Sequence, residues 1–335
     1  MSDYGPNLDG SQAMGVAAFV AGTGRSARFA SLKAEYDALL DPATGLVRAD
    51  LTVSRLCPLC GAGSFRRIFV HLGFPHVRCN LCTMVYVNPI LREDVQEEQH
   101  WKSSDLEDWM RVLLSEPQRR FDAEKFSYGL DLLRESVGPP GRLLDIGCGT
   151  GHFLEIARSQ GWTGVGLELS PRMAEYARGL GLDVRREALV PGAFPTASFD
   201  AVTLWEVLDD IREPRDFMRQ VAEILRPRGG LLILVPNIDS IAVRVMQEKS
   251  ATFGGKGRIN YFNIHTLSRL LMEAGFEIVR RETIISELET LNNYLNYLDP
   301  YQSEGAQPVL DLLTPEYIHE RLLGYKLLVV GRRRA

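Results

Sequence analysis

The feature that most constrains this chain is the run Leu143-Leu144-Asp145-Ile146-Gly147-Cys148-Gly149-Thr150-Gly151, in which an apolar strand passes into three alternating glycines and then a helix. Glycine alone tolerates so tight a turn, because without a Cβ the backbone reaches dihedrals closed to other residues. The same bareness lets a ligand lie directly against the chain at the helix N-terminus. Asp145 reaches toward such a ligand from the strand end. Glu168 ends the next expected strand, 23 residues further on, where an acidic side chain accepts hydrogen bonds from ribose hydroxyls. The pattern is G-x-G-x-G with an acid before it, whereas the dinucleotide fingerprint is G-x-G-x-x-G.

Around this turn, strands and helices alternate in the manner that predicts a mainly parallel sheet with helices on both faces, an α/β Rossmann-like architecture. Expected strands are Arg142 to Ile146, Gly164 to Leu169, Asp200 to Trp205, Leu231 to Val235, Phe276 to Glu282 and Tyr325 to Arg332. Expected helices are His152 to Gln160, Pro171 to Gly179, Pro214 to Leu225 and Ser268 to Ala274. A helical insertion at about 285–323 interrupts the last strand pair, and insertions of that length usually cover a site or form an interface. The expected division is a tail with one short helix over 1–50, a cysteine module over 51–91, linking helices over 92–138 and the α/β domain over 139–335. Residues 1 to about 28 lack periodicity and read as a loosely attached tail.

These segments resemble the class I S-adenosylmethionine-dependent methyltransferases, through Leu144 to Gly151, Val165-Gly166-Leu167-Glu168, Ser198-Phe199-Asp200-Ala201-Val202 and Leu225-Arg226-Pro227-Arg228-Gly229-Gly230. The resemblance covers roughly residues 95–335 and implies S-adenosyl-L-methionine as cofactor. It places Asp145 and Gly147, Cys148, Gly149 and Gly151 along the methionine moiety, with Cys148 a small buried member of the loop. It gives the ribose to Glu168 and the flanks of adenine to Ala188 and Leu189. Phe153, Leu169 and Trp205 complete the expected cofactor set, Trp205 as a shield for the sulfonium. Relatives often carry a Glu-His pair where this chain has Asp209-Asp210, which puts a base carried over to that position in doubt; a solvated helix start is the competing reading.

Cys57-Pro58-Leu59-Cys60 and Cys79-Asn80-Leu81-Cys82 lie eighteen residues apart, within structural-zinc spacing. A Cys₄ shell around Zn²⁺ leaves no open position for substrate, so the metal reads as structural. His71 and His76 lie between the pairs and read as surface or packing residues. The run Cys79 to Leu91 resembles the zinc ribbon attached to a group of bacterial methyltransferases that serve glycan and natural-product pathways, an analogy for the substrate class and no more.

Methyl transfer to a hydroxyl requires an oriented nucleophile and a proton acceptor. His265 is the leading base candidate, with a helix-start role before Thr266 as its rival. Tyr261 and Asn263 either orient a hydroxyl or pack the loop; Glu206, after the strand ending at Trp205, completes the catalytic candidates. Lys256 and Arg258 either hold a phosphate or are solvated charges. No Asn-Pro-Pro-Tyr type tetrad follows Leu204, which counts against amino methylation of adenine or glutamine.

Composition narrows the partners. A formal charge of -5 gives no global attraction to nucleic acid. The longest aliphatic run, Leu231 to Val235, is far short of the ~20 residues of a membrane span, and Met1-Ser2-Asp3 supplies no basic segment for a secretory signal. The expectation is a cytoplasmic enzyme acting on a small-molecule acceptor, with a homodimer as candidate assembly. Two rivals stand beside it: a zinc-ribbon RNA methyltransferase, against which the few basic residues of 57–91 argue, and a non-catalytic cofactor-binding scaffold.

Overall fold

The computed structural model describes residues 14–102 and 104–335. Helices α1 (Val16–Gly22) and α2 (Arg25–Asp37) lead to β1 (Thr52–Val53), then β2 (Phe65–His71), β3 (Phe74–Cys79), β4 (Val85–Val87) and β5 (Ile90–Leu91). Three helices follow, α3 (Glu93–Lys102), α4 (Ser104–Leu114) and α5 (Glu116–Val137). The α/β unit then runs β6 (Arg142–Ile146), α6 (His152–Ser159), β7 (Thr163–Leu167), α7 (Pro171–Gly179), β8 (Asp183–Arg185), β9 (Phe199–Trp205), α8 (Pro214–Ile224) and β10 (Leu225–Pro236). It closes with α9 (Ile241–Met246), β11 (Asn260–Tyr261), α10 (Ile264–Glu273), β12 (Phe276–Ile284), α11 (Leu288–Leu295), α12 (Pro315–Glu320) and β13 (Lys326–Arg333).

The main sheet has seven strands in the order β12-β13-β10-β9-β6-β7-β8. β13 alone runs against its neighbours, pairing antiparallel with β10 and β12. Its first residue, Lys326, therefore lies opposite Pro236, the last residue of β10, at the carboxyl edge where open α/β sheets bind ligands. Alternation along the strands divides the core. Leu144, Ile146, Val202, Leu204, Ile233 and Val329 face α8 and α10 through Met218, Val221, Leu267 and Leu271. Leu143, Ala201, Leu232, Leu328 and Val330 face α5, α6 and α7 through Leu130, Leu133, Leu154 and Ala174. Both faces being covered explains why these strands read as continuous apolar runs. Local signals fix the helix starts: Pro171 and Pro214 occupy first-turn positions, and Ser170 Oγ accepts from the Met173 N–H.

The second sheet joins the two parts of the chain. Its order is β11-β4-β3-β2, so the cysteine module donates three strands and the loop after β10 donates the fourth, with Asn260 opposite Tyr86 and Tyr261 opposite Val85. The expected loose tail also differs where it is described. α1 and the start of α2 are helical, the Val16 N–H donates to Glu289 Oε2 (2.9 Å), and Arg25 donates to Gln118 Oε1 (2.7 Å); residues 1–13 of that tail lie outside the described residues. Short weakly periodic helices are stabilised by such tertiary contacts, which no local pattern reports.

Candidate functional site

The cofactor side is built by consecutive chain. The glycine turn leaves β6 with Gly147, Gly149 and Gly151 at φ of 74°, 54° and 82°, a region that favours glycine. Two of the three are also sterically confined. A Cβ on Gly147 would lie 2.5 Å from Val207 Cγ2, and one on Gly151 2.4 Å from Leu182 Cδ1. The turn is tied to the next strand by the N–H groups of Gly147 and Cys148, which both donate to the Leu167 carbonyl (2.8 and 3.0 Å). Glu168 then closes it: one carboxylate oxygen accepts from the Gly149 N–H (2.9 Å), the other from the Ser170 N–H (2.7 Å). That pair of bonds fixes the carboxylate at the mouth of the turn and leaves further lone pairs for hydroxyls. Burial nonetheless raises the Glu168 carboxyl above the usual carboxylate range.

Beneath the turn, Asp145 is buried and accepts from Thr203 Oγ1 (2.6 Å). Burial pushes its carboxyl up to about 8, against the lowering effect of Thr203. Cys148 turns its thiol away from the mouth into β7, where a Cβ on Gly166 would meet Sγ at 2.5 Å. Leu169 and Ala188 are exposed at the strand ends, while Leu189 is buried.

Phe153 and Trp205 are brought together, but as packing. Their rings lie 5.3 Å apart, each also against Phe126, and the indole lies so close to α5 that a Cβ on Gly129 would sit 2.6 Å from Cη2. Trp205 Nε1 is sealed from solvent with no hydrogen-bond partner.

The acceptor side gathers distant residues at the ends of β9 and β13. Glu206 has a left-handed backbone (φ 58°), and its carboxylate is paired with Lys326 and with Arg258 (3.5 Å). Arg258 Nε also donates to Asp209 Oδ2 (2.8 Å), and the Ile259 and Asn260 N–H groups donate to the Asp209 carbonyl (3.0 and 2.9 Å). α5 adds a buried Lys125–Asp122 pair at 2.5 Å. Despite burial, Lys326 first and then Arg258 and Lys125 hold the Glu206 carboxyl down at about 2. A carboxylate so strongly stabilised is a poor proton acceptor. Asp210 is different: no ion pair or side-chain hydrogen bond engages it among the described residues. It is exposed and adjoins the buried Asp209, whose neighbouring charge raises its carboxyl.

The remaining expected catalytic residues are placed elsewhere. Tyr261 is fully buried between the two sheets. His76 Nδ1 lies 2.9 Å from the Phe74 carbonyl and Nε2 3.0 Å from the Tyr261 hydroxyl, which accepts from the Gly254 N–H (3.0 Å) and has the Arg258 carbonyl, at 3.0 Å, as a second acceptor for its single proton. Its hydroxyl is thereby committed to holding the loop. His265 is exposed in the first turn of α10, behind the capping box formed by Asn263 and Thr266, and spacing puts it on the stripe of Arg269 and Glu273. Lys256 pairs with Glu35 and Arg258 with Glu206 and Asp209. Lys326, Lys125 and Asp122 escaped sequence reasoning; the one available signal was a lysine heading the apolar run Leu327 to Val330.

The four cysteines of the module converge, with all Sγ atoms within 4.8 Å of one another and Cys57–Cys82 and Cys60–Cys79 at 3.4 and 3.5 Å. Sulfurs at 2.3 Å from a tetrahedral zinc ion stand about 3.8 Å apart, so the set fits that ion. The cluster is tied to the acceptor loop through Arg55, which donates to Asn260 Oδ1 (2.5 Å) and to the Arg212 carbonyl (3.3 Å).

Comparison with known proteins agrees with this architecture. Residues 118–281 match the family described as methyltransferase domain. The chain is 32% identical over 116 residues to the ubiquinone biosynthesis O-methyltransferase of Xanthomonas campestris pv. campestris, covering 32% of this chain and 48% of that protein. It is 24% identical over 177 residues to an uncharacterized protein of Methanocaldococcus jannaschii, covering 51% and 83%. The match thus spans about half the length of the ubiquinone relative. A S-adenosylmethionine-dependent methyltransferase from Archaeoglobus fulgidus aligns with TM-score 0.47 at 18% identity over 72% of this chain and 100% of that one. A possible histamine N-methyltransferase from Thermotoga maritima aligns with TM-score 0.45 at 22% identity, over 68% and 98%.

Proposed function

We propose that the protein transfers the methyl group of S-adenosyl-L-methionine to a hydroxyl of a small polar acceptor, a sugar, nucleotide-linked sugar or natural-product intermediate. The observation that carries this reading is the juxtaposition at one sheet edge of the glycine turn with its Glu168 clamp and a set of charged side chains lining that edge: Glu206, Asp209, Asp210, Arg258 and Lys326. Such a lining suits an acceptor rich in hydrogen-bonding groups over an apolar one. In the transfer, the acceptor oxygen forms a bond to the methyl carbon, the carbon–sulfur bond breaks and its electrons stay on sulfur, and the hydroxyl proton passes to a base. Asp210 takes that role in preference to His265, Tyr261 or Glu206, because it is the carboxylate of this edge that no ion pair or side-chain hydrogen bond engages among the described residues. The Cys57, Cys60, Cys79 and Cys82 set holds a structural Zn²⁺ that keeps the acceptor loop in place.

Calorimetric titration with S-adenosylmethionine and its demethylated product tests the cofactor half; absence of binding by folded, metal-loaded protein defeats the reading. A panel of sugars and nucleotide-linked sugars, read by formation of the demethylated product, tests the acceptor half. With an active acceptor in hand, Asp210→Asn is expected to lower kcat by about 10²–10⁴-fold with unchanged cofactor affinity. An unchanged rate would return the role of base to another group.

A further inference from the structure

Outside the methyl-transfer site, a cleft of about 380 Å³ opens at the seam between the cysteine module and the α/β domain. Leu59 and Cys60 of the first Cys-x-x-Cys turn form one wall, Arg215 and Arg219 of α8 a second, and Arg269 and Glu273 of α10 a third. Both helical pairs are spaced i, i+4, so each presents its two side chains on one face. The lining therefore holds three guanidinium groups and one carboxylate.

Their partners differ. Arg219 is paired with Asp216 (2.6 Å) at a solvated rim, and Arg269 with Glu273 (2.7 Å). Arg215 has no hydrogen bond or ion pair among the described residues, and its Nε is shut away from solvent without an acceptor. Buried donors of this kind are normally satisfied, and a guanidinium fork is shaped for two oxygens of one phosphate. The volume falls within the range of small-ligand pockets.

We propose that this cleft binds the phosphate or diphosphate group of a small molecule, with Arg215 as the principal contact and Arg219 and Arg269 as its flanks. The rival explanation is internal. Four thiolates around a divalent ion carry a net double negative charge, which the same arginines are placed to offset.

Full-length, zinc-loaded protein would be titrated calorimetrically with inorganic phosphate, pyrophosphate and uridine diphosphate, with zinc content measured in parallel. The expected result is saturable binding that Arg215→Gln weakens at least tenfold and Arg219→Gln, a rim change that leaves the fold untouched, weakens by a smaller factor. Equal affinity for phosphate and pyrophosphate would identify a single-phosphate site, and a gain with uridine diphosphate a nucleotide-borne one. Absence of binding, binding indifferent to both substitutions, or loss of zinc in place of phosphate affinity in Arg215→Gln would each overturn the proposal, the last by assigning the arginines to the metal cluster. Binding of S-adenosylmethionine in the same samples tests the methyltransferase reading separately.

Discussion

The two sides of the candidate site are built by opposite strategies. The cofactor side takes its glycine turn, Asp145, Glu168 and Leu189 from one 45-residue stretch of consecutive β-strand and helix, and the bonds of Glu168 and Leu167 to the turn stay within it, Thr203 on Asp145 coming from outside. The acceptor side draws Asp122 and Lys125 from α5, Glu206 and Asp209 from the end of β9, Arg258 from the loop before β11 and Lys326 from β13. It is also walled by the four-cysteine module, which precedes the whole domain in sequence. A backbone-made site tolerates change around it, whereas a site made of mutually neutralising charges depends on every contributor being present.

The sharpest way to break this comparison is to strip the proposed zinc from the four-cysteine set. Chelation, or Cys82→Ser, withdraws a contribution on the order of 10 kcal/mol in small zinc modules. Amide exchange should then rise in β3, β4 and the Asn260–Tyr261 strand, while the β6 turn and Glu168 keep their protection. Loss of protection on both sides would show that the module supports the whole domain. Next in size is Arg258→Met, which leaves the buried Asp209 without its cation and should cost about 3–5 kcal/mol, measured by denaturant unfolding. The double variant with Asp209→Asn should recover much of that loss; if it does not, the pair is not the unit described here. Glu168→Ala should weaken S-adenosylmethionine binding by about 10–100-fold, the worth of a charged hydrogen bond of roughly 1.5–3 kcal/mol, with little effect on stability.

A last test sharpens the contrast through pH. Asp145 holds its proton more tightly folded, at about 8, than at its ordinary 3.8, so its contribution to stability is full below about pH 4 and is lost as pH rises toward 8. His76 goes the other way, lowered by burial from 6.5 to about 3. The unfolded chain binds that proton more readily, so its contribution is full above about pH 6.5 and is lost as pH falls toward 3. In melting temperature against pH, Asp145→Asn should remove a decline with rising pH between about 4 and 8, and His76→Gln a decline with falling pH between about 6.5 and 3. The same change in slope from both variants would contradict the assignment of one group to each side.

Much of the fold was legible because its signals are local. The strand Arg142–Ile146, the glycine turn and the helix from His152 follow from apolar runs and from φ values that only glycine adopts freely. The pairing of Cys57 and Cys60 with Cys79 and Cys82 was legible for a similar reason, since C-x-x-C spacing already places two thiolates on one turn. Tyr261 and His265 lie on one stretch of sequence that the structure divides: register with Val85 draws Tyr261 into the second sheet, and helical phase turns His265 outward.

The sequence by itself determined the α/β alternation, the cofactor turn and the cysteine set, because each is a property of a few adjacent residues and their covalent geometry. Tertiary structure alone decided that Lys326 meets Glu206, since only the reversal of β13 brings the head of that strand to the carboxyl edge. It alone decided that a strand beginning 178 residues beyond Cys82 completes the sheet of the cysteine module. Charge pairing and strand register between distant segments carry no local periodicity, and they exist only once the core has brought those segments together.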